Sequence, residues 1–298
     1  MKKILLVILL VVTSLYSKEY KVGFAQDTLA NDWRVAQVDE VKNEIKKYPY
    51  LKLTVKDAKA SVANQIADIE YFINNDYDFI ITSPINARIT SLVLNKALKK
   101  GIKVILISRS ITSQDYTTFI APKNKFIGEQ IGKYMVEKLN GKGTILMLQG
   151  VKGTTSARDR ENGFDEIVKN YPNIKVIKKR ANYLRADAIQ VMEDIYKKDI
   201  KFDAIYSHSD SMLSGVRSVM QRYNKNNTIL MVGIDYITEA KNAILKGVQT
   251  ASFTYPTCGK EGVDAIVKII QNKQFQRDRT IPSTMITIGN VKDVNPIF

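Results

Sequence analysis

The chain has 298 residues, 45% of them hydrophobic, and a formal net charge of +15 at neutral pH. This composition is typical of a globular protein, and the lysines occur singly or in pairs, which favours a solvated basic surface over a nucleic-acid or membrane partner. The single cysteine, Cys258, excludes an intramolecular disulfide, and the single histidine, His208, excludes a histidine-rich metal site. We expect no metal, no cofactor and no nucleic acid.

The first seventeen residues have the layout of a secretory signal peptide. Lys2 and Lys3 precede an unbroken apolar run over residues 4–12, and a short segment of mostly small or polar residues follows it. The run is too short to span a bilayer, and no cysteine follows it to receive a lipid. Cleavage is expected after Ser17, with Ser14 as the alternative, so that a mature protein of about 280 residues is exported to a periplasm.

Apolar, strand-like runs alternate with helical patterns along the mature chain. After the second run, for example, apolar residues of the segment 62–72 recur at spacings of four, three and three behind Ser61, a candidate helix N-cap. Such alternation predicts mostly parallel sheets covered by helices on both faces. The ten predicted strands are Lys21–Gln26, Leu51–Lys56, Asp78–Ser83, Lys103–Ser108, Thr117–Pro122, Thr144–Gln149, Ile174–Arg180, Asp203–His208, Ile229–Asp235 and Thr250–Thr254.

The ten predicted strands fall into two sets of five. Helices are predicted within the second set near 156–171, 185–199, 210–223 and 238–246. Because about 280 residues exceed the usual size of one hydrophobic core, the sequence predicts an α/β protein with two doubly wound lobes. No linker rich in Gly, Pro or Ser separates the two sets, which predicts short and structured crossings.

Polar and aromatic residues cluster just after the strands, where ligands sit in open parallel sheets. An aromatic face beside Arg, Asp and Asn suits a polyhydroxylated ligand, because its CH face stacks on a ring while its hydroxyls need fixed partners. Alternative interpretations stay open: Trp33 as a core residue, and Asp235 as a helix cap. The segments concerned are 26–34, 83–86, 108–110, 149–150 with 158–160, 182–183, 209–210 and 235–236. Candidate ligand contacts on this ground are Gln26, Asn31, Ser83, Ser108, Ser209 and Asp210, the last of which is also a candidate cap.

An ordered series of motifs spans essentially the whole mature chain. The motifs are Val22–Gln26 followed seven residues later by Trp33-Arg34, then Ile107–Ser110, Leu148–Gly150, Ser156–Arg160 with Gly163-Phe164, Tyr206–Met212 and Val232–Asp235. The series resembles periplasmic sugar-binding proteins of the ribose-binding type, and galactofuranose-binding members in particular. The resemblance implies a type I periplasmic-binding-protein fold, with the ligand enclosed between two lobes that three crossings join. With the strand pattern, it predicts a signal peptide over 1–17, an N-terminal lobe over 20–122 with 255–280, and a C-terminal lobe over 123–254 with 281–298.

The resemblance also implies the ligand contacts. From the first lobe these are Trp33, Arg34 and Arg109, and from the second they are Arg158, Tyr183, Asp235 and Thr254.

Two positions depart from the family's pattern. Ser108 stands where such sugar binders usually carry Asp, and Ser209 stands where they usually carry Asn. A serine cannot replace a carboxylate that accepts two sugar hydroxyls in charge-assisted bonds. With three arginines facing mainly Asp235, the cleft is expected to be more cationic than that of neutral-sugar relatives.

The expected function is capture of a carbohydrate-like ligand by hinge closure. A neutral, furanose-like monosaccharide is favoured, and an anionic sugar derivative that pairs with arginine is the alternative. Delivery to an ABC-type permease is the first hypothesis, and presentation to a membrane sensor kinase or chemoreceptor stays open beside it.

Other classes of function fit the sequence poorly. A repressor needs a helix-turn-helix module ahead of the binding core. The sequence also lacks the Gly-rich phosphate loop, the nucleophile elbow and the two-histidine metal signature of common enzymes. His208, between two serines, is expected to pack at a strand end. We therefore expect a monomeric binding protein that is not an enzyme.

Overall fold

The computed structural model describes residues 18–224 and 229–298. The predicted signal peptide lies outside these residues. Within them the strands form two six-stranded sheets. No helix in these two ranges is long and apolar enough to cross a membrane.

The first sheet consists mainly of the N-terminal strands and has only parallel pairings. In chain order its strands are β1 (Tyr20–Gln26), β2 (Leu51–Asp57), β3 (Phe79–Thr82), β4 (Lys103–Ile107), β5 (Thr118–Ala121) and β11 (Asp278–Thr280). Their order across the sheet is β11-β5-β4-β3-β1-β2. The strand order reverses at β1, which has β2 on one side and β3 on the other, and such a switch point creates the crevice in which doubly wound sheets bind ligands.

The second sheet repeats this arrangement with the following strands. They are β6 (Gly143–Gln149), β7 (Ile174–Arg180), β8 (Ala204–Ser207), β9 (Leu230–Asp235), β10 (Ala251–Thr254) and β12 (Met285–Thr287). Their order is β12-β10-β9-β8-β6-β7, in which β12 runs antiparallel to β10 and the other pairings are parallel.

Helices cover both faces of each sheet. Four of them pack on the first sheet: α1 (Asp32–Ile45), α2 (Val62–Asn74), α3 (Ala87–Lys99) and α9 (Gly259–Ile270). The second sheet carries α4 (Asn124–Lys138), α5 (Thr155–Val168), α6 (Arg185–Lys197), α7 (Asp210–Arg222) and α8 (Thr238–Leu245).

The inner strands have apolar sequences because helices cover both faces of each sheet. In β4, Ile105 and Ile107 join the core cluster on one face, whereas Val104 and Leu106 join the cluster on the other. Successive side chains of a strand point to opposite faces, so a strand buried on both sides is apolar throughout. This arrangement confirms the two-lobed α/β class that the sequence predicts.

The predicted strands agree closely with the structure. Each of the ten lies within one residue of the observed strand at either end, and Ser61 caps α2 by accepting a hydrogen bond from the Asn64 amide. The short strands β11 and β12 were not predicted. The chain passes between the sheets three times: after β5, after β10 and between β11 and β12. The lobe boundaries at residues 122/123, 254/255 and 280/281 stay a prediction.

Candidate ligand-binding site between the two sheets

A cavity lies between the two sheets, at the carboxyl ends of their parallel strands. Residues of both halves of the chain contribute to its wall. The lining residues are Asp27, Thr28, Asn31, Trp33, Arg34, Ser108, Arg109, Val151, Ser156, Arg160, Asn182, Tyr183, Ser209, Asp235 and Tyr255. Eight of these are predicted site residues: Asn31, Trp33, Arg34, Ser108, Arg109, Tyr183, Ser209 and Asp235.

The first sheet contributes two buried arginines that share one carboxylate. Arg34 Nε lies 3.0 Å from Asp27 Oδ1, and Arg109 Nη1 lies 2.7 Å from Asp27 Oδ2. Burial, followed by the charge of Arg109, lowers the pKa of Arg34 to about 10, so that it stays protonated at neutral pH. Asp27 offsets one of the two positive charges of this arginine pair. The expectation that the cleft is more cationic than that of neutral-sugar relatives stays a prediction.

A polar network fixes the position of Arg34. Its Nη1 donates to Gln37 Oε1 at 2.9 Å, to Ser83 Oγ at 3.0 Å and to Ser108 Oγ at 3.2 Å. Gln26 lies behind it and donates to the Arg34 main-chain oxygen at 3.4 Å and to Gln37 Oε1 at 3.1 Å. Gln26 and Ser83, both predicted as ligand contacts, thus hold Arg34 and do not line the cavity.

The second sheet contributes a third buried arginine, Arg160 of α5. Its Nε donates to Asn124 Oδ1 at 2.9 Å, its Nη1 donates to the main-chain oxygen of His208, and its guanidinium lies 4.4 Å from the centre of the Tyr255 ring. Asp235, at the end of β9, stands in the same part of the wall. Burial raises the pKa of Asp235 well above its usual range, and the charge of Arg160 opposes this shift.

Aromatic rings complete the wall. The Trp33 Nε1 donates to the main-chain oxygen of Tyr255 at 2.8 Å, and the two rings lie 5.6 Å apart. Trp33 is only 4% exposed and packs into the apolar cluster of the second sheet, although it belongs to α1 of the first. Trp33 therefore lines the cavity and is also part of the core. That its ring stacks on a ligand stays a prediction.

Tyr183 passes directly over Gly150. A Cβ atom at position 150 would lie 1.9 Å from Cζ of the Tyr183 ring, so that only glycine fits. The Tyr183 hydroxyl lies 3.1 Å from Ser156 Oγ, and the ring faces Arg109 and Arg160 at 5.6 and 5.8 Å. The ring therefore separates the two arginines of opposite lobes.

Several backbone positions at the cavity lie in the left-handed region, which non-glycine residues rarely adopt. They are Ser108 (φ 61°), Asn182 (φ 50°), Tyr183 (φ 64°) and Asp235 (φ 119°), and each follows or ends a strand. Such strained positions cluster at functional sites, because the fold must hold their side chains in one direction.

Direct contacts join the two lobes around the cavity. Asn31 Nδ2 donates to the Tyr183 main-chain oxygen at 2.6 Å, and the Ser110 amide donates to Thr155 Oγ1 at 3.0 Å. At the rim, Arg185 Nη2 lies 3.0 Å from Asp32 Oδ2. The structure is thus a closed form of the two lobes.

Besides Gln26 and Ser83, three predicted site residues lie away from the cavity wall. Arg158 projects from α5 with 57% of its side chain exposed and pairs with Asp159 at 2.7 Å. Residues two apart on a helix point to nearly opposite sides, and here Arg160 faces inward. The inference that Arg158 faces the ligand is therefore corrected to Arg160.

Asp210 and Thr254 have structural contacts instead. Asp210 is fully buried below the wall, where its carboxylate accepts from the Tyr236 amide at 2.7 Å, from Gln249 Nε2 at 2.7 Å and from the Ser252 hydroxyl. Thr254 Oγ1 accepts from the Thr284 amide at 2.9 Å. Burial raises the pKa of Asp210 to about 6, against the effect of these hydrogen bonds.

Sequence reasoning missed Asp27, Arg160 and Tyr255 as parts of the wall. Asp27 and Arg160 lie inside the strand-end segments that the sequence identified, so their positions were a signal. Their contacts with other residues of the wall have no sequence signal. Tyr255 directly follows β10 at a crossing, and its hydroxyl reaches the Ser108 main-chain oxygen at 3.1 Å. Within the described ranges, no group of three or more His, Cys, Asp or Glu side chains is placed to hold a metal ion.

Comparisons with known proteins agree with this geometry. A family model described as "periplasmic binding protein domain" matches residues 22–274. The galactofuranose-binding protein of Escherichia coli (strain K12) is 30% identical over 275 residues, which are 89% of this chain and 84% of that protein. The predicted resemblance is thereby confirmed.

Two solved structures are similarly close. The fructose-binding periplasmic domain of a hybrid two-component system has a TM-score of 0.86 at 29% identity, covering 92% of this chain and 93% of that one. The binding component of the arabinose ABC transporter from Shewanella sp. ANA-3, bound to α- and β-L-arabinofuranose, has a TM-score of 0.85 at 28% identity, with coverage of 92% and 93%.

Proposed function

The chain belongs to the periplasmic binding protein family and has its type I fold, and on that premise we propose that it captures a furanose-like monosaccharide between its lobes and delivers it to an ABC-type permease. The observation that carries the proposal is the cavity between the sheets, in which buried arginines, aspartates and aromatic rings of both lobes meet.

The chemistry of the wall suits a ligand with many hydroxyl groups. Arg34, Arg109 and Arg160 supply donors, while Asp27 and Asp235 supply acceptors, so that a hydroxyl finds both kinds of hydrogen-bond partner in the wall. The relatives support the furanose form in particular, because galactofuranose and arabinofuranose are the ligands of two of them.

Hinge closure follows from the contacts between the lobes. The hydrogen bond of Asn31 to Tyr183 and the ion pair of Arg185 with Asp32 join residues of opposite sheets, so they must break before a ligand enters. A ligand that bridges the two halves of the wall favours the closed form by its differential affinity. The permease would then recognise the closed form.

Ligand sensing is the second candidate, and one observation favours it. A close structural relative is the fructose-binding domain of a hybrid two-component system, in which sugar binding belongs to a sensor. Transport assays in membrane vesicles that contain a candidate ABC-type permease would show sugar uptake under the first function. Under the second, the sugar would change the activity of a kinase or chemoreceptor without uptake.

Export to the periplasm completes the proposal. Residues 1–17 would be removed as a signal peptide, which supports a mature protein beginning at Lys18. N-terminal sequencing of the protein from the periplasmic fraction tests this proposal, since cleavage after Ser14 would give Leu15 instead. Gel filtration of the same sample should give the mass of a monomer.

Mass spectrometry of the small molecule released from purified protein tests the proposed function, followed by calorimetric titration with D-galactose, L-arabinose, D-ribose and D-fructose. We expect a released monosaccharide, and 1:1 binding of at least one of the four sugars. A released compound that is not a saccharide, with no heat from any of the sugars, would refute the proposal.

A further inference from the structure

Two buried atoms of the cavity wall have no hydrogen-bond partner among the described residues. They are Asp27 Oδ1 and Arg109 Nε, and both residues line the cavity. Asp27 Oδ1 lies 3.0 Å from Arg34 Nε in an ion pair, and a carboxylate oxygen has a further lone pair with which it can accept a hydrogen bond. Buried polar groups of folded proteins nearly always have a partner, so a ligand group is the natural partner of Arg109 Nε and can also donate to Asp27 Oδ1.

A ligand hydroxyl group could hydrogen-bond with both atoms, because a hydroxyl donates one hydrogen bond and accepts others. Its hydrogen would go to Asp27 Oδ1, and its oxygen would accept from Arg109 Nε. A carboxylate or a phosphate dianion has no hydrogen to donate. Such a group would satisfy Arg109 but would bring a second negative charge close to the buried carboxylate of Asp27, where like charges repel strongly.

Asp27 is held in place for this role. Each of its oxygens faces a different arginine, at 3.0 Å from Arg34 and at 2.7 Å from Arg109. The side chain is 3% exposed, so water does not screen its charge.

The side chain at position 108 contacts one arginine of this pair, Arg34. Ser108 Oγ accepts from Arg34 Nη1 at 3.2 Å, so a carboxylate at position 108 would reach the guanidinium that Asp27 now holds. The carboxylate can therefore be moved from position 27 to position 108 without changing the net charge of the wall.

We propose that Asp27 is the residue that selects an uncharged ligand: it accepts a hydrogen bond from a ligand hydroxyl and repels carboxylate and phosphate groups. This inference rests on the proposed function, because it names the ligand class of the same cavity. Of the neutral and the anionic ligand that the sequence left open, it favours the neutral one.

Calorimetric titration with matched pairs of sugars tests the inference. The pairs are D-fructose with D-fructose 6-phosphate and D-ribose with D-ribose 5-phosphate, which differ by one phosphate. We expect the wild-type protein to bind the neutral member of a pair at least about a hundredfold more tightly. The Asp27→Asn variant should bind the neutral sugar about tenfold or more weakly, and its preference over the phosphate should shrink by at least tenfold.

The double variant Asp27→Ser/Ser108→Asp carries the carboxylate at the new position. It should regain most of the preference for the neutral sugar, and it keeps the test decisive if the single variant does not fold, which thermal unfolding reports. Asp159→Asn is the matched control, because Asp159 pairs with Arg158 outside the cavity. It should bind both sugars as the wild-type protein does.

Two results would overturn the inference while the proposed function stands. One is a wild-type protein that binds a sugar phosphate as tightly as the neutral sugar. The other is an unchanged preference in folded Asp27→Asn, or no preference in the double variant. Failure of the wild-type protein to bind any member of either pair or of the four-sugar panel would refute the proposed function, and this inference with it.

Discussion

Asn31 Nδ2 of the first lobe donates a hydrogen bond of 2.6 Å to the main-chain oxygen of Tyr183 in the second lobe. The same side chain caps α1, since its Oδ1 accepts from the Arg34 amide at 3.3 Å. One residue thus fixes the start of the helix that carries two wall residues and joins the two lobes. This double role predicts how closure can be weakened without unfolding the helix.

Asn31→Asp should loosen the closed form. Aspartate caps a helix as well as asparagine does, but it cannot donate to the Tyr183 oxygen and places a negative charge beside it. We expect sugar affinity to fall about tenfold, with the melting temperature within a few degrees of the wild-type value. Small-angle scattering of the sugar-free protein should show a larger radius of gyration for the variant. Equal affinity and equal scattering would show that this bond does not contribute to closure.

Arg158 and Arg160 offer a matched pair on one helix. Arg160→Ala removes the buried guanidinium between Asn124 and the Tyr255 ring, and it should weaken sugar binding by about a hundredfold or more. Arg158→Ala removes an exposed side chain and should change the affinity less than about twofold. Titration of both variants checks the assignment, and the reverse ranking would place Arg158 at the ligand.

Gly150→Ala should displace Tyr183. A Cβ atom there would overlap the ring at 1.9 Å, so the ring must move away from Arg109 and Arg160. We expect at least about a tenfold loss of sugar affinity. Gly289→Ala is the control, because its Cβ would meet only Thr287 Oγ1, at 3.6 Å. The idea fails if the two alanine variants bind sugar equally well.

Trp33 is the only tryptophan of the chain, so its emission reports directly on the cavity wall. Addition of sugar should shift or quench the emission, because the ring edges the space that the ligand would fill. Trp33→Ala should also lower the free energy of unfolding by about 3 to 5 kcal/mol, since the ring packs in the core of the second lobe. Unchanged fluorescence at saturating sugar would mean that Trp33 acts only as a core residue.

The carboxylate of Asp210 should make stability depend on pH. Burial raises its pKa to about 6 in the folded protein, above the value of 3.8 that an exposed aspartate has. The folded state therefore binds the proton more tightly, and this group's contribution to stability is greatest below pH 4 and is lost as the pH rises through 6. Relative to Asp210→Asn, the wild-type protein should lose about 2 to 3 kcal/mol between pH 4 and pH 7. Parallel stability curves for the two proteins would contradict this prediction.

The sequence predicted most of the fold because the inner strands of both sheets, such as β3, β4 and β9, are buried on both faces and therefore mostly apolar. The short strands β11 and β12 were not predicted, and the three residues of β11, Asp278–Thr280, are exposed or partly exposed and carry no apolar pattern. Its place in the sheet depends on pairing with β5, which only the folded chain brings near.

Site residues could be predicted where their position at the end of a strand alone places them at the cavity. Ser108 and Asp235 follow parallel strands and therefore lie at the cavity edge. Arg160 and Asp27 could not be assigned from position alone. The orientation of α5 about its axis determines whether Arg158 or Arg160 faces the cavity. Asp27 contacts Arg109, which lies 82 residues away in the sequence. Such pairings depend on tertiary geometry and have no local sequence pattern.

A crystal structure of the protein grown with the sugar that titration identifies would show where the ligand binds. We predict one uncharged monosaccharide inside the cavity between the sheets, with a hydroxyl on Asp27 Oδ1 and further contacts to Arg160 and Asp235. A sugar bound elsewhere on the protein, or a cavity that stays filled by solvent alone at saturating sugar, would contradict it.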